Sequence, residues 1–295
     1  MRKIFAAFVL LTAFATRSFA QNNDLLNQVK TISADAKGIV GVYAEVLETH
    51  DTLSYNAHSR LVMHSVFKFP IAMTVLNLVD KGKYKLDGKI KLHQRDMAPK
   101  EMYSPLRDKY PDGTELPLSE ILNYMISQSD NTACDFMLKK LGGPQVVDDY
   151  VKSLGVKGIA IKASEADMAS AWEVQYLNWG KPADLVKLLE LFYSGKVLSP
   201  TCNDFLMKAM LATTTGPHRL RGLLPGDADV AHKTGTSPTN KEGLTAATND
   251  IGIITLPNGK HLAIAVMVCN SKADEATRDA VIAKIAKAAW DYYGK

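Results

Sequence analysis

Two side chains with complementary chemistry lie three positions apart early in the chain: the hydroxyl of Ser65 and the amine of Lys68. A serine hydroxyl becomes a useful nucleophile when a base lies beside it, and a lysine whose pKa is lowered by burial or by other cations can be that base. The pattern S-x-x-K is common by chance. On its own, Ser65 could be a helix cap and Lys68 a solvated residue of the first turn.

The residues after Lys68 predict the helix that positions this pair. Apolar side chains recur at helical spacing from Ile71 to Val79, Gly82 can end the helix, and Pro70 is tolerated near a helix start. The pattern therefore predicts a helix that begins at about Ser65. Residues three apart share one helix face, so the Lys68 amine is expected within reach of the Ser65 hydroxyl.

A second polar group, Ser129-Asp130-Asn131, lies between two helical patterns at Leu118–Ser127 and Thr132–Leu141. Such residues commonly form a turn in which Asn131 or Thr132 caps the second helix. The functional alternative is that Ser129 passes a proton to a leaving nitrogen and that Asn131 holds a substrate amide carbonyl.

A third group, Lys233-Thr234-Gly235-Thr236, lies on a predicted strand that begins near Val230. A lysine on a strand is usually solvated. Here Gly235 would let a substrate lie against the strand, and the Thr236 N–H could form an oxyanion hole with the N–H of Ser65. Lys233 would then attract a substrate carboxylate.

The first twenty residues resemble a secretory signal. Arg2 and Lys3 precede an apolar run, and Ser18-Phe19-Ala20 is a small-x-small cleavage site. The run is too short for a transmembrane helix, and no cysteine follows it to carry a lipid anchor. We expect a protein that is periplasmic or secreted after cleavage near Ala20, without a membrane anchor.

Net charge and cysteine usage limit the kinds of partner and cofactor that we expect for the mature protein. The formal charge of +4 falls to about +1 when Arg2, Lys3 and Arg17 leave with the signal, so neither a nucleic acid nor an anionic membrane surface is implied. The three cysteines are isolated, and no histidine pair has metal-ligand spacing. We expect no cofactor, no metal, a small-molecule substrate and a monomer.

The order of the elements predicts an α+β sandwich. A helix at 24–36 precedes a β-hairpin at 38–55, strand patterns return at 230–236, 251–256 and 262–268, and a helix closes the chain at 275–293. We predict a five-stranded antiparallel sheet flanked by terminal helices, with an all-helical domain inserted between its early and late strands. Residues 21–62 and 212–295 would form the sheet domain, residues 63–211 the helical domain, and the active site would lie in the cleft between them.

The three motifs occur in the order and on the elements found in class A serine β-lactamases and penicillin-binding proteins, and the sequence resembles the former. Segments 66–70, 174–179 and 246–250 resemble the PER-like branch, and Tyr103 resembles the cleft-wall tyrosine of the family. The resemblance implies a β-lactamase/transpeptidase-like fold and β-lactam hydrolysis through a Ser65 acyl-enzyme without a cofactor. It also implies that cephalosporins are preferred and that penicillins are hydrolysed too.

The family hydrolyses its acyl-enzyme with a loop glutamate, for which two residues qualify. Glu165 lies 36 residues after Ser129 and 68 before Lys233, as the family spacing requires. Glu173 imitates a local family motif but lies eight residues later. We predict Glu165. Ala169 stands where the family usually has an asparagine that also holds the hydrolytic water.

The resemblance also suggests an arginine that binds the substrate carboxylate, and Arg219 aligns better than Arg221, which we expect to be structural. Whether Lys68 or Glu165, through a water, activates Ser65 stays open. A D,D-peptidase would share the three motifs and lack the loop glutamate, and a β-lactam sensor would be acylated without turnover.

Overall fold

The computed structural model describes residues 23–295, and the predicted signal peptide, 1–20, lies outside them. Within the described residues, the main sheet has five antiparallel strands in the order β2-β1-β10-β9-β8, which confirms the predicted sheet. The elements, in chain order, are α1 (23–34), β1 (Ile39–Val46), β2 (Thr52–Tyr55), β3 (Leu61–Val62), α2 (Lys68–Asp80), β4 (Lys89–His93), α3 (Pro105–Lys109), β5 (Gly113–Pro117), α4 (Leu118–Ser127), α5 (Asn131–Leu141), α6 (Pro144–Ser153), β6 (Ile159–Ala160), α7 (Glu165–Ser170), β7 (Trp179–Gly180), α8 (Pro182–Tyr193), α9 (Pro200–Leu211), β8 (Val230–Thr236), β9 (Thr245–Thr255), β10 (His261–Ser271) and α10 (Glu275–Tyr293).

Strand β10 shows how the sheet separates two apolar layers. Its alternate residues Ile264 and Val266 pack with the terminal helices α1 and α10, whereas Ala265 and Met267 belong to the core beneath the helical region. Successive strand side chains point to opposite faces, so a strand buried on both sides is apolar at nearly every position. The terminal helices therefore cover one face and helix α8 covers the other.

The middle of the chain is mainly helical, but the prediction that it is all helical is wrong. Strands β4 and β5 form a hairpin, and β3, β7 and β6 form a small three-stranded sheet. The three strands of the small sheet have only two residues each, so no period-2 pattern marks them. The helices of the described residues include none long and apolar enough to cross a membrane.

Strands β9 and β10 are longer than the sequence pattern predicted. Polar residues at Thr248, Asn249 and Asp250 weakened the strand signal in β9, yet all three are fully buried there. Their side chains reach partners far away in sequence, which makes burial of polar groups tolerable. Strand β8 and helix α10 have the predicted bounds.

Candidate active site

The nucleophile segment differs in one respect from its prediction. Residues His64–Phe67 form a turn of 3₁₀ helix, and the α-helix α2 begins at Lys68 instead of Ser65. The tighter turn still places residues three apart on one side. The Lys68 amine accordingly donates a hydrogen bond to the Ser65 hydroxyl at 2.7 Å.

Glu165 completes a triangle with these two groups. The Ser65 hydroxyl donates to Glu165 Oε1 at 2.9 Å, and the same oxygen lies 2.6 Å from Lys68 Nζ. Glu165 is buried at the start of α7, whereas Glu173 is exposed on the following 3₁₀ helix. The glutamate beside the serine is therefore the one that the spacing favoured.

The charges of this triangle are coupled. Burial alone would lower the pKa of Lys68, but the adjacent Glu165 carboxylate outweighs burial and raises the pKa above its ordinary value. Burial would raise the pKa of Glu165, yet Lys68 together with its hydrogen bond holds that pKa below the ordinary value. The pair is thus an ammonium and a carboxylate at neutral pH.

The Ser129-Asp130-Asn131 segment approaches Lys68 from the helical side. Lys68 Nζ donates to the Ser129 carbonyl at 3.0 Å and to Asn131 Oδ1 at 2.7 Å. Ser129 has a φ of +58°, which turns the chain into the site. The turn alternative gave Asn131 or Thr132 as the cap, but Asp130 caps helix α5 by accepting from the Ala133 N–H.

Lys233 approaches Ser129 from the sheet. Its amine is fully buried and donates to Ser129 Oγ at 2.8 Å and to the Thr234 carbonyl at 2.9 Å. Burial and the positive charge of Lys68 hold the pKa of Lys233 well below its ordinary value. Because the Ser129 oxygen accepts from Lys233, its own O–H proton is available to another acceptor.

Strand β8 forms the open edge of the sheet, next to Ser65. The Ser237 N–H donates to the Ala247 carbonyl across the strand pair. Backbone N–H groups alternate along an antiparallel strand, so the Thr236 N–H points to the unpaired edge. A Cβ on Gly235 would lie 2.4 Å from the Met63 carbonyl oxygen, so only glycine lets β8 run this close to the nucleophile segment.

Arg219 lies beneath this edge and is 3% exposed. Its guanidinium donates to Asp279 at 2.8 Å and to the hydroxyl of Thr236 at 2.8 Å. Arg219 therefore reaches the cleft through Thr236 and does not line it. Arg221 donates to the carbonyl of Val230.

A cavity of about 490 Å³ joins these elements. Tyr103, 56% exposed, forms part of its wall, and the buried groups of Lys68 and Lys233 lie behind its polar floor. Thr234, whose hydroxyl lies 2.6 Å from that of Thr215, borders it at the sheet side. The predicted site residues that line the cavity are Ser65, Tyr103, Ser129, Asn131, Glu165, Thr234 and Thr236.

Residues 24–293 match the model of the Beta-lactamase enzyme family. The chain is 42% identical over 289 residues to β-lactamase VEB-1 of Pseudomonas aeruginosa, which covers 97% of this chain and 96% of that protein. This chain is a class A serine β-lactamase. It is also 38% identical to the extended-spectrum β-lactamase PER-1 of Pseudomonas aeruginosa, across 97% of this chain and 93% of that protein. The crystal structure of a β-lactamase from Chitinophaga pinensis superposes with a TM-score of 0.89 at 51% identity, covering 91% of this chain and 98% of that one.

Sequence reasoning missed the residues that hold the Glu165 loop of this β-lactamase. Asp135 on α5 accepts from the backbone N–H groups of Glu165 and Ala166. At the far end of the loop, Asn178 accepts from the N–H groups of Lys162 and Ala163. A charged residue inside a helical pattern was the signal available for Asp135, but nothing in the sequence named its partner.

Another contact links the nucleophile segment of the β-lactamase to this loop. Gln175 donates its amide N–H to the Trp172 carbonyl, so its oxygen faces His64 Nε2 at 2.7 Å. His64 is consequently the donor of that hydrogen bond through Nε2. Burial lowers the pKa of His64, so its ring is neutral at neutral pH.

Proposed function

We propose that this β-lactamase prefers cephalosporins, that it hydrolyses penicillins as well, and that Ser65 carries the acyl group. The observation that carries the mechanism is the hydrogen-bonded triangle of Ser65, Lys68 and Glu165 at the floor of the cavity. The hydrogen bonds run from Lys68 to Ser65 and from Ser65 to Glu165, so the proton of the nucleophile already points to a carboxylate.

Acylation begins when Ser65 Oγ attacks the lactam carbonyl carbon. Glu165 takes the hydroxyl proton, because Lys68 is held as an ammonium and has no free electron pair in this state. The Lys68 ammonium stabilises the developing negative charge on Oγ. The carbonyl oxygen receives hydrogen bonds from the N–H groups of Ser65 and Thr236, which act as the oxyanion hole.

Collapse of the tetrahedral intermediate breaks the bond between the carbonyl carbon and the ring nitrogen. Ser129 donates its proton to that nitrogen, and Lys233, whose lowered pKa suits proton transfer, supplies a proton to Ser129 in turn. Asn131 is positioned to hold the amide of the substrate side chain. Lys233, Thr234, Gly235 and Thr236 bind the substrate carboxylate edge, with Arg219 acting through Thr236.

Deacylation uses the same carboxylate. For this step Glu165 gives up the proton that it took from Ser65, and Lys233 regains the proton that it passed to Ser129, both by exchange with solvent. Glu165 then removes a proton from a water that attacks the ester carbonyl carbon of the acyl-enzyme. The bond from that carbon to Ser65 Oγ breaks, and Oγ takes the proton from Glu165 as the product is released. Ala169 offers no hydrogen bond to that water. We therefore assign its positioning to Glu165 itself, whose backbone is held by Asp135.

The preference for cephalosporins is supported by the wall of the cavity and by one relative. Ala169 and Ala171 line the side of the cavity that carries Glu165, and their small side chains leave room for a bulky acyl group. The relative is PER-1, which is named an extended-spectrum β-lactamase and is 38% identical to this chain.

We further propose that the enzyme is exported after cleavage near Ala20 and acts as a monomer. Residues 21–62 and 212–295 would form one domain and residues 63–211 the other. The supply of site residues from both parts, Glu165 and Lys68 from one and Lys233 from the other, supports this division.

The experiment is a single incubation in which intact-protein mass and lactam absorbance are followed together, first with cefalotin and then with benzylpenicillin. We expect many equivalents of both to be consumed, a transient adduct on Ser65, and a higher kcat/KM for cefalotin. A higher kcat/KM for benzylpenicillin contradicts the preference. One lasting adduct per chain identifies an acylating sensor, and Ser65→Ala should form no adduct.

A further inference from the structure

Asn249, on strand β9, contacts the chain just ahead of the nucleophile. Its side chain is fully buried, and the amide Nδ2 donates to the carbonyls of Val62 at 2.7 Å and Met63 at 3.0 Å. These carbonyls belong to residues three and two positions before Ser65. A residue of the sheet thus holds, by two hydrogen bonds, the backbone that leads into the 3₁₀ turn His64–Phe67.

The Met63 carbonyl is confined from a second direction. Asn249 pairs with Gly235 across the β8–β9 register, and the Met63 oxygen would lie 2.4 Å from a Cβ placed on Gly235. The carbonyl is therefore packed against the β8 backbone and held there by the Asn249 amide. The two residues in this contact lie two positions before Ser65 and one before Thr236, whose N–H groups form the proposed oxyanion hole.

The same two residues extend the connection in both directions. The Met63 N–H donates to the Asn178 carbonyl at 3.0 Å, at the end of the Glu165 loop. The Asn249 carbonyl accepts from Arg219 at 3.1 Å, and Arg219 also donates to Thr236. Asn249 therefore lies where three parts of the site meet: the 3₁₀ turn His64–Phe67, the loop that carries Glu165, and strand β8.

The hydrogen bonding of Asn249 argues against a role in folding alone. Its Oδ1 is buried and has no hydrogen-bond partner among the described residues. A buried acceptor without a partner is unfavourable, and an apolar side chain of similar size would avoid that cost. What the asparagine adds is a donor directed at two backbone carbonyls.

We propose that Asn249 is a positioning residue for the oxyanion hole: its amide fixes the Met63 carbonyl against β8 and so sets the separation of the Ser65 and Thr236 N–H groups. The inference rests on the proposed mechanism. Oxyanion donors act at 2.7–3.1 Å from the developing charge, so a small displacement of the turn weakens both hydrogen bonds.

The test compares Asn249→Leu with Thr248→Val. Thr248 is the neighbouring strand residue, its hydroxyl accepts from Arg278 on the terminal-helix side, and Thr→Val also removes one buried hydrogen bond. Acylation by a chromogenic cephalosporin is measured in single turnover with enzyme in excess. The infrared band of the acyl carbonyl is recorded in a Glu165→Gln background, where the adduct accumulates.

We expect acylation by Asn249→Leu to fall about 10- to 100-fold, a loss smaller than or similar to that from removing one oxyanion donor. The acyl carbonyl band should move to higher frequency, because its hydrogen bonds are weaker. Thr248→Val should keep the wild-type band and an acylation rate within about twofold.

A lower melting temperature with an unchanged band and acylation rate would show a purely structural role and overturn the proposal. If Asn249→Leu does not fold, Asn249→Ser, which is smaller and keeps a hydroxyl donor too short to reach both carbonyls, is measured instead with the same expectation. If the wild-type enzyme itself forms no Ser65 adduct, the proposed mechanism fails, and that outcome is distinct from an adduct whose band ignores residue 249.

Discussion

The carboxylate of Asp135 holds the backbone of Glu165. Asp135 Oδ1 accepts from the Glu165 N–H at 2.8 Å, and Oδ2 accepts from the Ala166 N–H at 2.9 Å. These are two of the N–H groups that a helix start leaves without a partner inside the helix. The position of the Glu165 carboxylate is therefore fixed from helix α5 as well as by Lys68.

Replacing Asp135 by Ala should slow deacylation more than acylation. Without its backbone anchor, Glu165 can still pair with Lys68, but it aims less accurately at the hydrolytic water, and we expect a loss of about 10- to 100-fold in deacylation. Acyl-enzyme lifetime by intact-protein mass measures this. Asp167→Ala is the matched control, because Asp167 caps the same helix from its exposed side. Equal effects of both variants would contradict a specific role for Asp135.

Asp135 should also give deacylation an acidic limb. Burial, and then the negative charge of Glu165, raises the pKa of Asp135 to about 6. Below that pH the carboxyl carries a proton and can no longer accept from both N–H groups, so deacylation should fall with a midpoint near pH 6. Single-turnover deacylation between pH 4.5 and 8 tests this. The limb should be absent from Asp135→Asn, and its persistence there would assign it to another group.

The raised pKa of Asp135 also makes protein stability depend on pH, in the direction opposite to that of a salt-bridged aspartate, whose pKa is lowered. The unfolded chain loses the Asp135 proton near 3.8, whereas the native state keeps it until about 6. Between these values the native state binds more protons, so the contribution of Asp135 to the free energy of unfolding decreases as pH rises. Denaturant titrations measure the free energy of unfolding of the wild type and of Asp135→Asn. The wild-type value, relative to that of Asp135→Asn, should be lower at pH 7 than at pH 4.

Short motifs were predictable because their chemistry is local. Ser65 and Lys68 are three residues apart, and Ser129 and Lys233 each lie in a run with a recognisable composition. The structure brings all four together through two hydrogen-bonded lysines. Their convergence was implied by the resemblance of the three motifs to the family and not by any periodicity.

The supporting residues could not be predicted from the sequence, because their partners are remote. Asp135 acts on a backbone 30 residues later, and Asn249 acts on carbonyls 186 and 187 residues earlier. A polar residue in a strand or helix pattern reads as a solvated position until tertiary contacts identify its partner. The same effect hid the first half of β9, where buried polar side chains interrupt the apolar pattern.

Replacing Glu165 by Gln should produce an acyl-enzyme that accumulates. Glutamine cannot take a proton from water, so deacylation should fall by about 10²- to 10⁴-fold. Acylation should fall less: once the carboxylate is gone, burial lowers the pKa of Lys68, and the neutral amine can then act as the base for Ser65. Mass spectrometry during cefalotin turnover should show a dominant adduct. Glu173→Gln is the control, because Glu173 is exposed on the 3₁₀ helix that follows α7. Unchanged turnover in Glu165→Gln would refute the assignment.

The substrate role of Arg219 can be separated from its structural role. Its removal leaves Asp279 buried without its partner, so Arg219→Ala should lose about 3–5 kcal/mol of stability. If Arg219 acts on substrate through Thr236, then Thr236→Val and Arg219→Ala should each raise KM, and the double variant should raise it no further than Thr236→Val alone. Arg221→Ala, which loses a bond to the Val230 carbonyl, should leave KM unchanged. Additive effects on KM in the double variant would mean that Arg219 contacts the substrate carboxylate directly, by moving out of its buried position.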